Sequence, residues 1–167
     1  MERVWAPWRK AYILGKKKPK GCLFCRVREK PPAQDSKNLL LLRSAHSYVI
    51  LNRFPYTNAH LMIVPNRHID SPDSLHEKEQ LDLFKMVNLS LKLLKRAFRP
   101  QGFNLGVNVG KAAGAGIPHH MHFHVVPRWL GDTNFMPVTS GAKVISDSLK
   151  STYRHLKDVL QRTAKKE

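Results

Sequence analysis

A run of alternating histidine and apolar residues constrains this chain more than any other segment does. It reads His120-Met121-His122-Phe123-His124-Val125-Val126 and is followed by a proline. Successive side chains of a β-strand point to opposite faces, so a strand over 120–126 carries three imidazoles on one face and apolar residues on the other. A neutral imidazole is a good nucleophile near pH 7, and its neighbours can fix its tautomer. A metal-binding tract and histidines buried in a core are the alternative interpretations.

A glycine- and alanine-rich loop over 111–118 comes directly before this predicted strand. Gly114 and Gly116 let backbone N–H groups approach an anion without a Cβ in the way. A phosphorus atom that is held by such amides and attacked in line by an imidazole forms a phosphoramidate, which water or phosphate can then cleave. The loop and the histidine run together predict a phosphate-binding site with a nucleophile.

The remaining hydrophobic pattern predicts an α+β fold. Short apolar runs indicate strands over 38–42, 47–51, 60–64 and 103–109. Ser74-Leu75-His76-Glu77 fits a capping box at the start of a long helix that ends before Pro100. Its predicted apolar face consists of Leu81, Phe84, Val87, Leu91, Leu94 and Phe98, and a C-terminal helix is predicted from Leu149, Tyr153, Leu156 and Leu160. Strands in a meander with these two helices indicate an antiparallel sheet.

Length and charge bound the organisation of the protein and its ligands. A chain of 167 residues fits a single domain over 1–167, with an N-terminal arm over 1–20 and a C-terminal helical segment over 140–167. The formal net charge is +17, from 29 Lys and Arg against 12 Asp and Glu. Such a surplus attracts polyanions, such as nucleotides or nucleic acids, although a general contribution to solubility explains it equally well.

The sequence also limits where the protein is expected to act. It has no stretch near the roughly 18 consecutive apolar residues of a membrane span, which excludes membrane transport. Its first ten residues contain no apolar core of a secretory signal, and two cysteines do not make a disulfide scaffold. We therefore expect a cytoplasmic protein that makes no membrane contact.

The two cysteines lie in the run Cys22-Leu23-Phe24-Cys25, which has the C-x-x-C spacing of a zinc ligand pair. Two ligands do not complete a tetrahedral site, so further ligands must come from elsewhere in the chain. A redox pair of the thioredoxin type and two unligated thiols are the alternatives, although no βαβ pattern surrounds these cysteines.

The histidine run resembles the motif of the histidine triad family of nucleotide hydrolases and transferases. Four further segments are similar to its bacterial branch that cleaves diadenosine polyphosphates: Trp5-Ala6-Pro7-Trp8-Arg9, Gly21-Cys22-Leu23-Phe24-Cys25, residues 51–56 and residues 127–138. The resemblance covers nearly the whole chain. It implies the α+β fold of that family, with a sheet that pairs into a homodimer or, in some relatives, a tetramer.

The resemblance also assigns roles to the histidines. His122, the middle one, matches the nucleophile that takes up the nucleotidyl group, and His124 matches a phosphate contact beside it. His60 matches the histidine that supports the triad. In relatives that bind zinc, the positions of His68 and His120 complete the site with the two cysteines, which implies a structural zinc on Cys22, Cys25, His68 and His120.

Substrate-binding residues are implied in the same way. Asn52 stands where the family places a ribose-binding residue, and contacts to the α-phosphate are implied for Asn108, Gly114, Ala115, Gly116 and Ile117. The chain departs from the family pattern at Ala59, where relatives usually have glycine. It also lacks the Gln and the Ser or Thr that many relatives have in the phosphate loop.

The expected function is therefore that of a nucleotide hydrolase or transferase. It would cleave dinucleoside polyphosphates through a nucleotidyl-His122 intermediate, by phosphorolysis or by hydrolysis. The alternatives are a hydrolase of nucleoside phosphoramidates or aminoacyl-adenylates and a non-catalytic nucleotide-binding protein. Nucleic-acid binding is not expected as the main role, because a binding protein does not need a poised nucleophile.

Overall fold

The computed structural model describes residues 21–132, 145 and 147–164. The N-terminal arm over 1–20, residues 133–144 and 146, which include the start of the predicted C-terminal helical segment, and the last three residues lie outside the described residues. The five strands are β1 Leu40–Arg43, β2 Ser47–Leu51, β3 Leu61–Pro65, β4 Gly102–Val107 and β5 Phe123–Arg128. The α-helices are α1 Leu23–Arg28, the single turn α2 Asp35–Asn38, the long α3 Glu77–Phe98 and α4 Leu149–Ala164.

The strands form one antiparallel sheet in the order β1-β2-β3-β5-β4. Strand β5, which contains His124, lies between β3 and the edge strand β4. In register, Met62 of β3 and Gly106 of β4 flank His124 on its two sides. The predicted α+β fold with a long and a C-terminal helix is confirmed.

Each face of the sheet is covered by its own apolar cluster. Helices α3 and α4 cover the inner face, where Val49, Ile63 and Val125 are fully buried. On the outer face a smaller cluster joins Phe24 of α1 to β-strand residues that include Tyr48, Ile50, Met62 and Val64. The Tyr48 hydroxyl donates to the Phe24 carbonyl at 2.9 Å, which ties α1 to the sheet beside the histidines.

The long helix begins and faces the core differently from the prediction. Residues Pro72–Ser74 form a separate 3₁₀ turn, and α3 starts after His76, whose backbone N–H donates to the Glu79 carboxylate at 2.9 Å. Two residues of the predicted apolar face, Leu81 and Phe84, are 59% and 57% exposed. The helix has apolar residues over a wide arc, and the sheet covers the adjoining stripe, which includes Leu83, Met86, Val87 and Leu94.

The C-terminal helix α4 closes the inner face. It packs against α3 and β1, and its predicted apolar residues Tyr153 and Leu156 are buried. The Tyr153 hydroxyl donates to the Leu40 carbonyl at 2.9 Å. Within the described ranges, no helix combines the length and the apolar character that crossing a membrane requires.

Candidate active site and metal site

The histidine run lies at the start of β5 instead of inside it. The strand was predicted over 120–126, but it begins at Phe123, so His120 and His122 precede it. Before that point the chain leaves the β3 ladder, and the Met121 N–H donates to the Ile69 carbonyl at 2.6 Å. The side chains still alternate between the two faces, because Met121 and Val125 are buried in the inner core while His122 and His124 lie together on the other side. The Nδ1 atom of His120 lies next to the two cysteines instead.

His120 lies in a cluster of four potential metal ligands that gathers residues from three parts of the chain. Its other members are Cys22 and Cys25, at the start of α1, and His68, after β3, and the ligand atoms lie within 4.8 Å of one another. The His120 Nδ1 atom lies 3.2 Å from Cys22 Sγ and 3.2 Å from His68 Nδ1, and Cys25 Sγ lies 3.4 Å from His68 Nδ1. The two cysteines and the two histidines that the family resemblance implied as metal ligands are therefore brought together.

The geometry and protonation of this cluster fit a tetrahedral metal ion. Zinc–nitrogen and zinc–sulfur distances of about 2.0 and 2.3 Å give tetrahedral edges of about 3.3–3.8 Å, close to the separations in the cluster. The His120 Nε2–H donates to the Pro65 carbonyl at 3.0 Å, so the Nδ1 lone pair faces the cluster. Burial lowers the pKa of His120, which favours the neutral imidazole that a metal needs.

His122 is buried beside the cluster with a defined tautomer. Its Nδ1 lies 3.0 Å from the carbonyl oxygen of His120, and this acceptor requires the proton to be on Nδ1. The Nε2 atom therefore carries the lone pair. The ring packs against Phe24, at 5.0 Å between ring centroids, and against His124 at 4.8 Å. Burial lowers the pKa of His122, so its neutral and nucleophilic form is favoured.

His60 and His124 form a hydrogen-bonded pair. His60 Nδ1 accepts from the Tyr56 N–H at 3.1 Å, so its proton lies on Nε2, which donates to His124 Nδ1 at 2.9 Å. The outer Nε2 of His124 must then carry a proton. Burial, followed by the nearby His122, lowers the pKa of His124 to about 4. The site thus presents a neutral acceptor on His122 beside a neutral donor on His124.

Asn52 supports the same pair. Its Nδ2 lies 3.2 Å from His60 Nδ1, and its Oδ1 accepts from the Phe54 N–H at 2.9 Å. Ala59, where relatives usually have glycine, adopts a left-handed φ of 58°, so the turn before His60 keeps a glycine-like conformation despite its Cβ.

The glycine-rich loop lies between β4 and β5, and only part of it offers free amides. The Gly114 N–H donates to the Lys111 carbonyl at 3.0 Å, and the Ala115 N–H donates to the Gly110 carbonyl at 3.4 Å. Among the residues that the structure describes, nothing accepts from the N–H of Gly116 or Ile117. These two amides therefore have no acceptor within the described part of the chain and are free to bind an anion.

Two site residues face each other across this loop. Gly114 has a φ of +83°, and a Cβ built on it would lie 3.9 Å from the Asn108 amide nitrogen, so the loop folds towards Asn108. The Ile117 side chain packs against the outer apolar cluster around Phe24.

The sequence did not single out Tyr56, whose ring centroid lies 4.8 Å from that of His60 and 5.9 Å from that of His124. Its only signal was an aromatic residue next to a proline, four positions before His60.

Comparisons with known proteins identify the family of this chain. The HIT domain model matches residues 12–129. An AP-4-A phosphorylase from Mycobacterium tuberculosis is 35% identical over 161 residues, which cover 93% of this chain and 83% of the relative. A zinc-bound histidine triad family protein from Mycobacterium smegmatis shares the fold, with a TM-score of 0.65 and 20% identity over 88% of this chain and 98% of that one. A hypothetical histidine triad nucleotide-binding protein from Sulfolobus tokodaii has a TM-score of 0.66 and 24% identity, over 87% of this chain and 93% of that one. The chain therefore belongs to the histidine triad family, whose signature is the HIT domain.

Proposed function

We propose that the protein cleaves dinucleoside polyphosphates by transferring a nucleotidyl group to His122. The proposal rests above all on the His122 tautomer, because the bond from Nδ1 to the His120 carbonyl leaves Nε2 as a lone-pair donor next to the His124 N–H. The identity of 35% to an AP-4-A phosphorylase supports a diadenosine substrate. The net charge of +17 suits a strongly anionic ligand of this kind.

In the proposed reaction, His122 Nε2 attacks the α-phosphorus and displaces the remaining nucleoside polyphosphate. The new N–P bond leaves a positive charge on the ring, which the Nδ1–H bond to the His120 carbonyl stabilises. The His124 N–H donates to a non-bridging oxygen of the transferred phosphate. Phosphate or water then attacks the intermediate, the N–P bond breaks, and His122 returns to its neutral form.

The transferred half of the substrate would be held on both sides of His122. We propose that Asn108 and the free amides of Gly116 and Ile117 bind the α-phosphate, together with the loop backbone at Gly114 and Ala115. Asn52 would contact the ribose through an amide hydrogen, in addition to its bond to His60. The apolar cluster around Phe24 lies next to His122 and suits the nucleoside.

We propose that the metal site holds a structural zinc on Cys22, Cys25, His68 and His120. Its chemistry would be purely structural, because four protein ligands leave no position for a substrate. Within the chain, these ligands join the start of α1 to the segment that carries His122. A cytoplasmic location fits this proposal, because a reducing compartment keeps the two thiols available as ligands. Metal analysis of the protein purified from the cytoplasmic fraction tests both statements.

We also propose a homodimer as the smallest assembly of this single domain. Strand β4 is an edge strand, and an uncovered edge exposes unpaired backbone groups. Leu105 and Val109 at this edge, and Leu81 and Phe84 on α3, are at least 46% exposed, an apolar surface that a second copy would cover. The first 20 residues or the C-terminal segment would supply the second contact of a tetramer. A monomer in light scattering at micromolar concentration would contradict the dimer.

Product analysis with diadenosine tetraphosphate tests the proposed reaction. If ADP and ATP form only when inorganic phosphate is present, the enzyme is a phosphorylase. If AMP and ATP form without phosphate, it is a hydrolase, whereas two molecules of ADP would mean attack at a β-phosphorus and would contradict the nucleotidyl-His122 intermediate. The absence of cleavage under both conditions, with protein that is folded and metal-loaded, would overturn the proposal.

A further inference from the structure

A cleft of about 250 Å³ lies on the outer face of the sheet, next to the edge strand β4. Its walls include Tyr56, Asn104, Gly106, Asn108, His124 and Arg128. We propose that this cleft binds the nucleoside of the leaving half of the substrate, with its base against Tyr56. This inference rests on the proposed cleavage of dinucleoside polyphosphates and adds a second nucleoside subsite to it.

The cleft exists because a glycine stands beside the triad. Gly106 of β4 pairs directly with His124 of β5, and a Cβ built on Gly106 meets no atom within 4 Å. Any larger residue there would project from the outer face of the sheet, next to the His124 ring. The missing side chain therefore opens a space that begins at the catalytic histidines and runs along β4.

The position of the cleft fits the departing half of the substrate. His122 packs against Phe24 on one side, and its other neighbour is His124, at 4.8 Å between ring centroids. The cleft begins at His124 and continues towards β4, away from the Phe24 side. A substrate that is attacked by His122 and extends past His124 would thus place its two nucleosides on opposite sides of the triad.

The near end of the cleft offers an aromatic surface. The Tyr56 side chain is 51% exposed, and its ring lies against the buried rings of His60 and His124. A base stacked on an exposed aromatic ring gains about 5- to 150-fold in affinity, largely independent of which base it is. In the leaving half of the substrate, the phosphate chain would extend from the α-phosphate past His124 and Asn108. Its nucleoside would then fold back onto the Tyr56 ring.

The far end is polar but electrically balanced, which suits the sugar better than a phosphate. Arg128 is paired with both carboxylate oxygens of Asp132, at 2.6 and 2.8 Å. Its Nη1 also donates to Asn104 Oδ1 at 2.7 Å, which turns the Asn104 NH₂ group outwards. Arg128 lies four positions after His124 on β5, about 13 Å at 3.3 Å per residue, so one nucleoside with its phosphates can span the distance.

A comparison of two substrates that share the transferred half distinguishes effects on this subsite from effects on the catalytic residues. Diadenosine tetraphosphate and adenosine 5′-phosphoramidate both donate an adenylyl group, but the second has a leaving group without a nucleoside. Gly106→Val fills the cleft and is expected to lower kcat/KM for the tetraphosphate about tenfold or more. For the phosphoramidate, kcat/KM should change less than twofold.

A second pair of variants tests the aromatic surface independently of the sheet. Tyr56→Leu is expected to lower kcat/KM for diadenosine tetraphosphate at least about fivefold, the equivalent of a lost stacking contact. Tyr56→Phe is the matched control, because it keeps the ring, and it should stay within twofold of the wild type. Both changes are on an exposed side chain, so they remain informative if Gly106→Val fails to fold.

The outcomes distinguish the subsite from the proposed function. If the variants reduce turnover of both substrates equally, they act through the triad and the subsite is wrong. If the wild type cleaves neither substrate, the proposed function fails, and calorimetric binding of diadenosine tetraphosphate and of AMP then decides the subsite. Weaker binding of the dinucleotide alone by Tyr56→Leu would support the subsite, and equal effects on both ligands, or none, would overturn it.

Discussion

The Nε2 atom of His60 lies 2.9 Å from the Nδ1 atom of His124, which is 64 positions later in the chain. The backbone N–H of Tyr56 bonds to the opposite nitrogen of His60, so only one distribution of protons satisfies all three groups. It leaves the outer nitrogen of His124 protonated and turned towards the cleft. A backbone amide of the loop before His60 thereby sets the hydrogen-bonding state of the site.

Replacing His60 tests this arrangement. His60→Leu removes the donor to His124, so we expect kcat for diadenosine tetraphosphate to fall about 10- to 100-fold, as for other groups that orient a functional histidine. His60→Gln can still donate through its side-chain amide and should retain more of the activity. Adding His60→Leu to His124→Ala should cause little further loss if the two residues act as one unit. Independent losses that multiply would contradict the coupling.

The low pKa of His124 predicts that stability decreases in mild acid. The unfolded chain takes up a proton near pH 6.5, whereas folded His124 remains neutral down to about pH 4. Because the unfolded state binds more protons in this window, the free energy of unfolding should fall as the pH falls, by about 1 kcal/mol between pH 7.5 and 5.5. Urea unfolding at several pH values measures the slope. His124→Asn should have the smaller slope, and equal slopes would show that other groups cause the effect.

A matched pair of glycine substitutions tests the backbone strain. Arg99 ends α3 with a left-handed φ of 47° and an exposed side chain, so Arg99→Gly should raise the free energy of unfolding by about 0.5–1 kcal/mol. Ala59 has a similar φ of 58°, but its side chain is 2% exposed. Ala59→Gly should gain less, because the buried methyl group is lost. Chemical denaturation of both variants provides the comparison.

The metal site should matter for stability more than for the chemical step. We expect about one zinc per chain in protein purified without chelators, measured by elemental analysis. Cys22→Ser and His120→Ala should lose the metal and lower the melting temperature, while His119→Ala, next to the site but exposed, should do neither. A metal-free preparation that is fully stable and fully active would refute the structural role.

His122 should be the residue that becomes covalently modified. His122→Ala should keep the fold, the metal and nucleotide binding, because its side chain lies outside the ligand cluster. Its turnover should fall on the order of a thousandfold or more, as when other nucleophiles are removed. His124→Ala should reduce turnover less. After incubation with substrate and rapid quenching, mass spectrometry should find an acid-labile nucleotidyl adduct on His122. An adduct on His120 or His124 would show that His122 is not the nucleophile.

The sequence predicted those features that depend on local periodicity. Alternation placed Met121 and Val125 in the core, and the apolar spacing located both helices. The predicted start of β5 was wrong, because the placement of His120 next to Cys22 depends on a contact between residues 98 positions apart. The prediction that Leu81 and Phe84 belong to the core was wrong. The sequence shows that α3 has apolar residues over a wide arc, but it does not show which part of this arc the sheet covers. The partners of the two cysteines came from the resemblance to a family, since spacing alone supplies only half of a tetrahedral site.

The separation of Cys22 from His120 along the chain has a consequence for how the protein resists unfolding. A metal ion bound by both residues joins positions 98 apart, so it closes a loop that contains all strands except β5. The four ligands come together only in the folded chain, so unlike a disulfide the ion is released on unfolding, and its binding free energy adds to the free energy of unfolding. The stability of the protein would therefore rise with the concentration of free zinc, and a chelator would weaken the connection between the first helix and the strand that carries His124, although the two are far apart in the sequence.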